Sequence, residues 1–258
     1  MNSGDLARGL LALGLEAGMT VLAHASLRSL GSVDGGAETV IDALREVLGP
    51  AGTLVVATAT EENSTTSRAH QARIAGMTTK QVREFRAAMP PFDRAVTPAG
   101  TGRIAEAVRT MPGAIRSAHP QSSFAAIGPL ARRLMRQHKI VCHLGEDSPL
   151  GKLYTSGSWI LLAGVGYQAC SALHLAEYRY VQTPPQQTYR CVIRYRGKPV
   201  WRAYRDVVLD DSDFTDIGVT LDKEIVSHYG HIGSAECRLM PLKETVDSAT
   251  EWMRTHRT

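Results

Sequence analysis

Thr20-Val21-Leu22-Ala23-His24, the loop Gly31-Ser32-Val33-Asp34-Gly35-Gly36, an apolar face of Val40, Ile41, Leu44, Val47 and Leu48, the stop Gly49-Pro50, and Thr53-Leu54-Val55-Val56-Ala57: this run from 20 to 57 decides the architecture. The two short apolar stretches have strand length, and the residues between them repeat at helical spacing. Two strands joined through a helix run parallel, so the run predicts an α/β core. In such sheets ligands collect beyond the strand C-termini. Here that places a site at His24 to Gly36, at Thr58 onward, and at Gly164 to His174.

Working outward, Leu6 to Leu15 has helical apolar spacing. Residues 59 to 100 form a long excursion from the core: a polar stretch Glu61 to Ser67, a helix Thr79 to Met89, and the rigid piece Met89-Pro90-Pro91-Phe92-Asp93. An excursion of this length is either a mobile surface loop or a substrate lid. Arg190 to Arg205 alternates cations with apolar residues and breaks at Gly197 and Pro199, which reads as a β-hairpin. Its cations, Arg190, Arg194, Arg196, Lys198, Arg202 and Arg205, form either a solvated strand face or a wall for a phosphorylated cofactor. A helix around Val219 to His228, a strand near Glu236 to Leu239 and an amphipathic helix Lys243 to Met253 follow. The expected fold is therefore α/β: one domain over 1–258, with a central mixed, largely parallel sheet flanked by helices, the 59–100 excursion, and a C-terminal hairpin and helical region.

Composition narrows the function classes. The chain has 258 residues, near the upper limit for one hydrophobic core. Met1-Asn2-Ser3-Gly4-Asp5 lacks the basic and apolar regions of a signal peptide, and no run of 18 apolar residues occurs, so a cytoplasmic protein without membrane attachment is expected. The net charge of +4 is spread along the chain and no nucleic-acid-binding module is recognisable, so no nucleic-acid partner is expected. Cys142, Cys170, Cys191 and Cys237 are widely spaced, which suits reduced thiols. His138, Cys142 and His143 are the nearest approach to a metal cluster, but they lack a matching second pair, so no metal is expected.

The richest chemistry lies in Leu161-Leu162-Ala163-Gly164-Val165-Gly166-Tyr167 and Ser171-Ala172-Leu173-His174-Leu175-Ala176-Glu177. An apolar strand ends on two glycines and leads through a polar loop to a helix. Ser171 is a candidate cap for that helix. His174 lies near its start, with Glu177 one turn beyond on nearly the same face. The pair is either a solvated helix face or a base with its orienting acid. Two further loops carry polar groups: His24-Ala25-Ser26-Leu27-Arg28-Ser29-Leu30-Gly31, whose backbone N–H groups and serines suit an anion, and Arg116-Ser117-Ala118-His119-Pro120-Gln121-Ser122-Ser123 before an apolar strand.

Taken in order, these segments resemble the aminoglycoside 3-N-acetyltransferase family, which is distinct from acetyltransferases of the N-myristoyl type. The resemblance rests on His24 to Gly31, Gly35-Gly36, Gly52 to Val55, Arg116 to Gly128, Ser148-Pro149-Leu150-Gly151, Leu161 to Gly166 and Leu173 to Glu177, and it extends to Asp213-Phe214, Gly218 and Ala235 to Leu239. It implies acetyl transfer from acetyl-CoA to an aminoglycoside amine, the 3-amine of a deoxystreptamine drug in the first instance. It implies His174 as general base and Asp206 as its helper carboxylate, with Glu177 competing for that role. Ser171 would steady the histidine or the thioester oxygen. It places the cofactor at His24, Ala25, Ser26, Leu27, Ser29, Leu30 and Gly31, with Arg116, Ser117 and Ser123 along its arm. Ala25 stands where relatives carry a serine, and Tyr167 where many carry His or Asp. Acids that could receive a cationic substrate are Glu61, Glu62, Asp93, Glu146 and Asp147, with Tyr167 beside them. Because a +4 chain is an unusual host for a polycation, the family's kasugamycin 2'-N-acetyltransferase branch is one alternative, and a catalytically idle CoA-binding protein on the same fold is another. The protein would act as a monomer or homodimer.

Overall fold

A computed structural model, which describes residues 1–225 and 228–257, starts with the helix α1 (Ser3–Ala12), closed at its N-terminus by a reciprocal Asn2–Asp5 capping box. The deciding run then folds as β1 (Thr20–Ala25), a single helical turn α2 (Leu27–Leu30), α3 (Ala37–Leu48) and β2 (Thr53–Ala57). The five apolar residues expected on one helical face are all buried on α3. The excursion carries α4 (Arg68–Ile74) and α5 (Thr79–Ala88), and the chain returns through α6 (Arg103–Thr110), β3 (Ile115–Arg116), β4 (Phe124–Ile127) and α7 (Ala131–Met135). α8 (Pro149–Tyr154), β5 (Trp159–Ala163) and α9 (Leu173–Glu177) precede the hairpin of β6 (Gln186–Tyr195) and β7 (Lys198–Val207). The hairpin turns at Arg196 and Gly197, both at positive φ as a two-residue turn between twisted strands requires. α10 (Phe214–Glu224), β8 (His228–Ile232), β9 (Ala235–Pro241) and α11 (Leu242–His256) close the fold.

Seven strands form one mixed sheet in the order β3-β4-β2-β1-β5-β9-β8. Its parallel part is the centre, β2-β1-β5, and both flanks are antiparallel. The outer pairs, β3–β4 and β8–β9, are joined by the short loops 117–123 and 233–234, too short for the crossover that a parallel pair needs. Side chains of the central strands alternate between two cores. Val21, Ala23, Leu54, Val56, Leu161 and Ala163 face α1, α3 and α6, whereas Leu22, Val55, Ile160 and Leu162 face α7 to α11.

The C-terminal region differs in detail from the sequence reading. The expected helix at 219–228 lies instead at Phe214–Glu224, and His228 begins a strand; Val226 and Ser227 of that expectation lie outside the described residues. Among the described residues no helix is long and apolar enough to cross a membrane.

Candidate active site

The strands β1, β2 and β5 end side by side at Ala25, Ala57 and Ala163, and a cavity of about 560 Å³ opens beyond them. β5 leaves the sheet through Gly164, whose φ of +67° is open to glycine and costly to other residues. A side chain there would also collide with Ser29, so the absent Cβ lets the β5 exit and the 26–31 turn pack together.

The turn after Gly164 carries Ser171 and His174 to the cavity wall. His174 Nδ1 donates to Glu177 Oε2 at 2.7 Å, which leaves Nε2 as the nitrogen free to face the cavity. Glu177 is fully buried, and its other oxygen accepts from the Asp210 N–H (2.8 Å) and from the Arg257 guanidinium (2.7 Å). Phe214 packs its ring 4.8 Å from that of His174. Ser171 does not cap the helix, since Ala172 occupies that position; its Oγ lies 3.3 Å from His24 Nε2. Burial, helped by the nearby His174, lowers His24 to about 4, so it stands neutral in the wall.

Asp206 is the main correction. Its carboxylate accepts from the backbone N–H and ring Nδ1 of His143, both at 2.6 Å, from Tyr178 Oη at 2.9 Å and from the Val207 N–H, and His174 is not among its partners in the described residues. The reason is geometric. Asp206 is set in β7 opposite Gln187 and reaches toward 143, whereas Glu177 shares a helix with His174 at a spacing that aligns their side chains. His143 lines the cavity from its other side, with Nε2 2.7 Å from Gln121 Oε1.

The expected cofactor residues divide into two groups. His24, Ala25 and Ser123 line the cavity. Ser26 instead caps α2 by accepting from Ser29 N–H, and Ser29 Oγ donates to Ser26 Oγ at 2.9 Å. The N–H groups of Ser26, Ser29, Leu30 and Gly31 are spent on backbone or side-chain oxygens of the turn and of Ala163, so they are not presented to an anion. Leu27 and Leu30 join the core. Arg116 is buried behind Ser123, donating to Ser123 Oγ (2.9 Å) and to the carbonyls of Thr58 (2.8 Å) and Thr97, with Phe92 beneath it. Burial lowers this guanidinium to about 10, and its hydrogen bonds tie Thr97 of the excursion to Thr58 and Ser123. Ser117 faces away from the cavity, toward His138.

Of the expected substrate residues, Glu61 alone lines the cavity. The others are satisfied elsewhere: Glu62 pairs with Arg73, Asp93 holds its own turn, Glu146 pairs with Arg179 and Asp147 with Lys139. Tyr167 is buried against Gly218 and donates to Asp222 at 2.6 Å. The hairpin cations Arg190 to Arg205 are exposed and lie away from the cavity. His138 spends its ring nitrogens on Ser117 and on the carbonyls of Cys142 and His143.

Sequence reading missed Asp210, Asp211, Arg68 and Arg257. Asp210 and Asp211 line the cavity with Glu61, and Arg68 forms a two-bond pair with Asp211 at 3.0 and 2.6 Å. That pairing holds Asp211 below the usual carboxylate range, and hydrogen bonds from Ser212 do the same for Asp210. The acidic run Asp210-Asp211-Ser212-Asp213, just after the hairpin, was the available signal. The rim thus holds three carboxylates against one guanidinium, so it is locally acidic on a chain of net charge +4.

A sheet flanked by helices on both faces, with a histidine–carboxylate pair beside a cavity at the C-terminal ends of its parallel strands, defines the α/β class of proteins that hold their ligands at the strand ends. The model of the aminoglycoside 3-N-acetyltransferase family matches residues 22–254, and the chain belongs to that family of transferases. The SPbeta prophage-derived aminoglycoside N(3')-acetyltransferase-like protein YokD of Bacillus subtilis is 38% identical over 252 residues, covering 96% of this chain and 90% of YokD. The YokD crystal structure superposes with a TM-score of 0.92, covering 99% of this chain and 94% of that one at 36% identity. Aminoglycoside N(3)-acetyltransferase VIII of Streptomyces fradiae is 33% identical, with 98% of this chain and 91% of that protein covered. AAC-IIIb, solved as a binary complex with CoASH, has a TM-score of 0.84 at 26% identity, covering 99% of this chain and 97% of that one.

Proposed function

We propose that the protein transfers the acetyl group of acetyl-CoA directly to an amine of an aminoglycoside, the 3-amine of a deoxystreptamine drug in the first instance, with His174 as general base. One observation carries the reading: His174 lines a cavity whose rim is acidic, and the buried Glu177 occupies its Nδ1, which leaves Nε2 as the nitrogen available to a substrate. An alkyl amine has a reference pKa of about 10 and attacks only when neutral. The rim acids Glu61, Asp210 and Asp211 suit a polycation and draw it in. His174 Nε2 then takes the proton as the amine nitrogen bonds to the acetyl carbon. The carbon–sulfur bond breaks, the acetyl group leaves on the amine, and the thiolate takes up a proton to depart as CoA. Glu177 fixes the tautomer and balances the charge gained by the imidazole.

The donor is supported by the CoASH complex of the AAC-IIIb relative and by the small side chains of Ala23, Ala25, Ala57, Ala59 and Ser123, which leave a passage for a slender pantetheine arm. Direct transfer, rather than a cysteine acyl-enzyme, is supported by the state of the four cysteines. All are buried, none lines the cavity, and burial raises Cys142 to about 11 and Cys170 and Cys191 to about 12. Ser171 lies beside His24 at the wall, suited to steadying the reacting groups.

The test is thiol release from acetyl-CoA with gentamicin, kanamycin, apramycin and kasugamycin, followed by NMR location of the new acetyl group. Turnover on a deoxystreptamine drug, lost in His174→Ala, is the expected outcome. CoA binding with no turnover on any amine would overturn it, and turnover with kasugamycin alone would redirect it to that branch.

A further inference from the structure

Arg257, which follows the last turn of α11, holds the acid that orients His174. Its guanidinium donates through one terminal nitrogen to Glu177 Oε1 (2.7 Å), through Nε to Asp213 Oδ2 (2.7 Å), and through the other terminal nitrogen to Asp213 Oδ1 (2.6 Å) and the Asp210 carbonyl (2.7 Å). Three segments far apart in sequence meet on this one side chain: α9, the 210–213 loop and the end of α11. Glu177 has no solvent exposure, and a carboxylate so placed requires a compensating charge and filled hydrogen-bond positions. His174 fills one oxygen, and Arg257 with the Asp210 N–H fills the other. Arg257 is itself held in place: α11 buries Val246, Ala249 and Met253 against the core, and the guanidinium sits over the Tyr180 ring. The same contacts set the loop that presents Asp210 and Asp211 to the cavity.

We propose that Arg257 is a positioning residue for acetyl transfer, fixing Glu177 so that His174 keeps Nε2 toward the substrate while the 210–213 loop stays in register with the cavity. The proposal rests on His174 being the base. Its experiment measures kcat and KM for Arg257→Ala and Arg257→Lys, alone and combined with Glu177→Gln, with and without guanidinium at sub-denaturing concentration. Loss of a charge-assisted hydrogen bond predicts a kcat lowered about 10- to 100-fold in Arg257→Ala, with KM for acetyl-CoA little changed. Added guanidinium should restore part of kcat, and Arg257→Lys should lie between wild type and Arg257→Ala. In the Glu177→Gln background the further loss should vanish, because the group that Arg257 serves is gone. ¹⁵N NMR of the His174 ring gives a reading independent of turnover: one tautomer in the wild type, and a mixture in Arg257→Ala. If Arg257→Ala does not fold, the lysine variant and its ring spectrum carry the test. Unchanged kcat in Arg257→Ala while His174→Ala is silent would overturn the proposal and leave the base reading standing. Losses that multiply in the double variant, with no guanidinium rescue, would reduce Arg257 to a structural part. An active His174→Ala would instead sink the base reading itself.

Discussion

At the residue scale, two buried acids divide the labour. Glu177 serves His174 and Asp206 serves His143, so their neutral substitutions should fail in different ways. If His174 is the base as proposed, Glu177→Gln removes the charge behind it and should lower kcat by about 10²- to 10⁴-fold in a protein that still folds. Asp206→Asn disturbs buried hydrogen bonds to His143 and Tyr178 and should cost about 1–3 kcal/mol of stability, while the folded fraction keeps kcat within about tenfold of wild type. Thermal melting and steady-state kinetics on the two variants check this directly. A larger kcat loss from Asp206→Asn would return the orienting role to Asp206. The two acids share chemistry and burial, so it is their partners that distinguish them.

At the scale of elements, the excursion from 59 to 100 is fastened where it meets the hairpin. The Asn63 amide exchanges two hydrogen bonds with the Val192 backbone (3.0 and 2.8 Å), and Phe92 N–H donates to the same Val192 carbonyl. Arg116 makes the matching fastening to the core. α5 buries no residue, so the outer part of the excursion depends on these ties. Asn63→Ala leaves a buried N–H of Val192 without its partner, at a cost of about 1–3 kcal/mol. Because few apolar contacts back up the lost bonds, the penalty should appear as local opening. Limited proteolysis should cut between 64 and 100 sooner than in wild type, with the sheet protected from hydrogen exchange as before. Equal protection in both proteins would show that the fastening lies elsewhere.

For the whole molecule, three histidines make stability depend on pH. Burial lowers His24 and His138 to about 4, and drives His119 well below the ordinary value of 6.5. Between 6.5 and about 4 the unfolded chain therefore binds protons that the folded chain refuses. The folded state is favoured above 6.5 and loses ground as the pH falls through that window. Urea midpoints measured from neutral pH down to about 4 should fall more steeply than one histidine explains. His138→Gln should flatten the slope by one proton, and an unchanged slope would show that folded His138 takes up its proton as readily as the unfolded chain does.

What the sequence by itself determined was local. The repeat of apolar residues from 20 to 57 made the parallel centre of the sheet, and the spacing of His174 and Glu177 put both on one helical face, because both follow from backbone periods acting over a few residues. Gly197 marked the hairpin turn for the same reason, since positive φ is a property of the residue. The tertiary structure alone decided who pairs with whom. Asp206 went to His143, four of the five expected substrate acids went to other partners or to their own turn, and Arg257 came across the chain to Glu177. A charged group in a folded core takes the nearest opposite charge or donor in space, and nearness between residues eighty positions apart is set only once the sheet and its helices have packed.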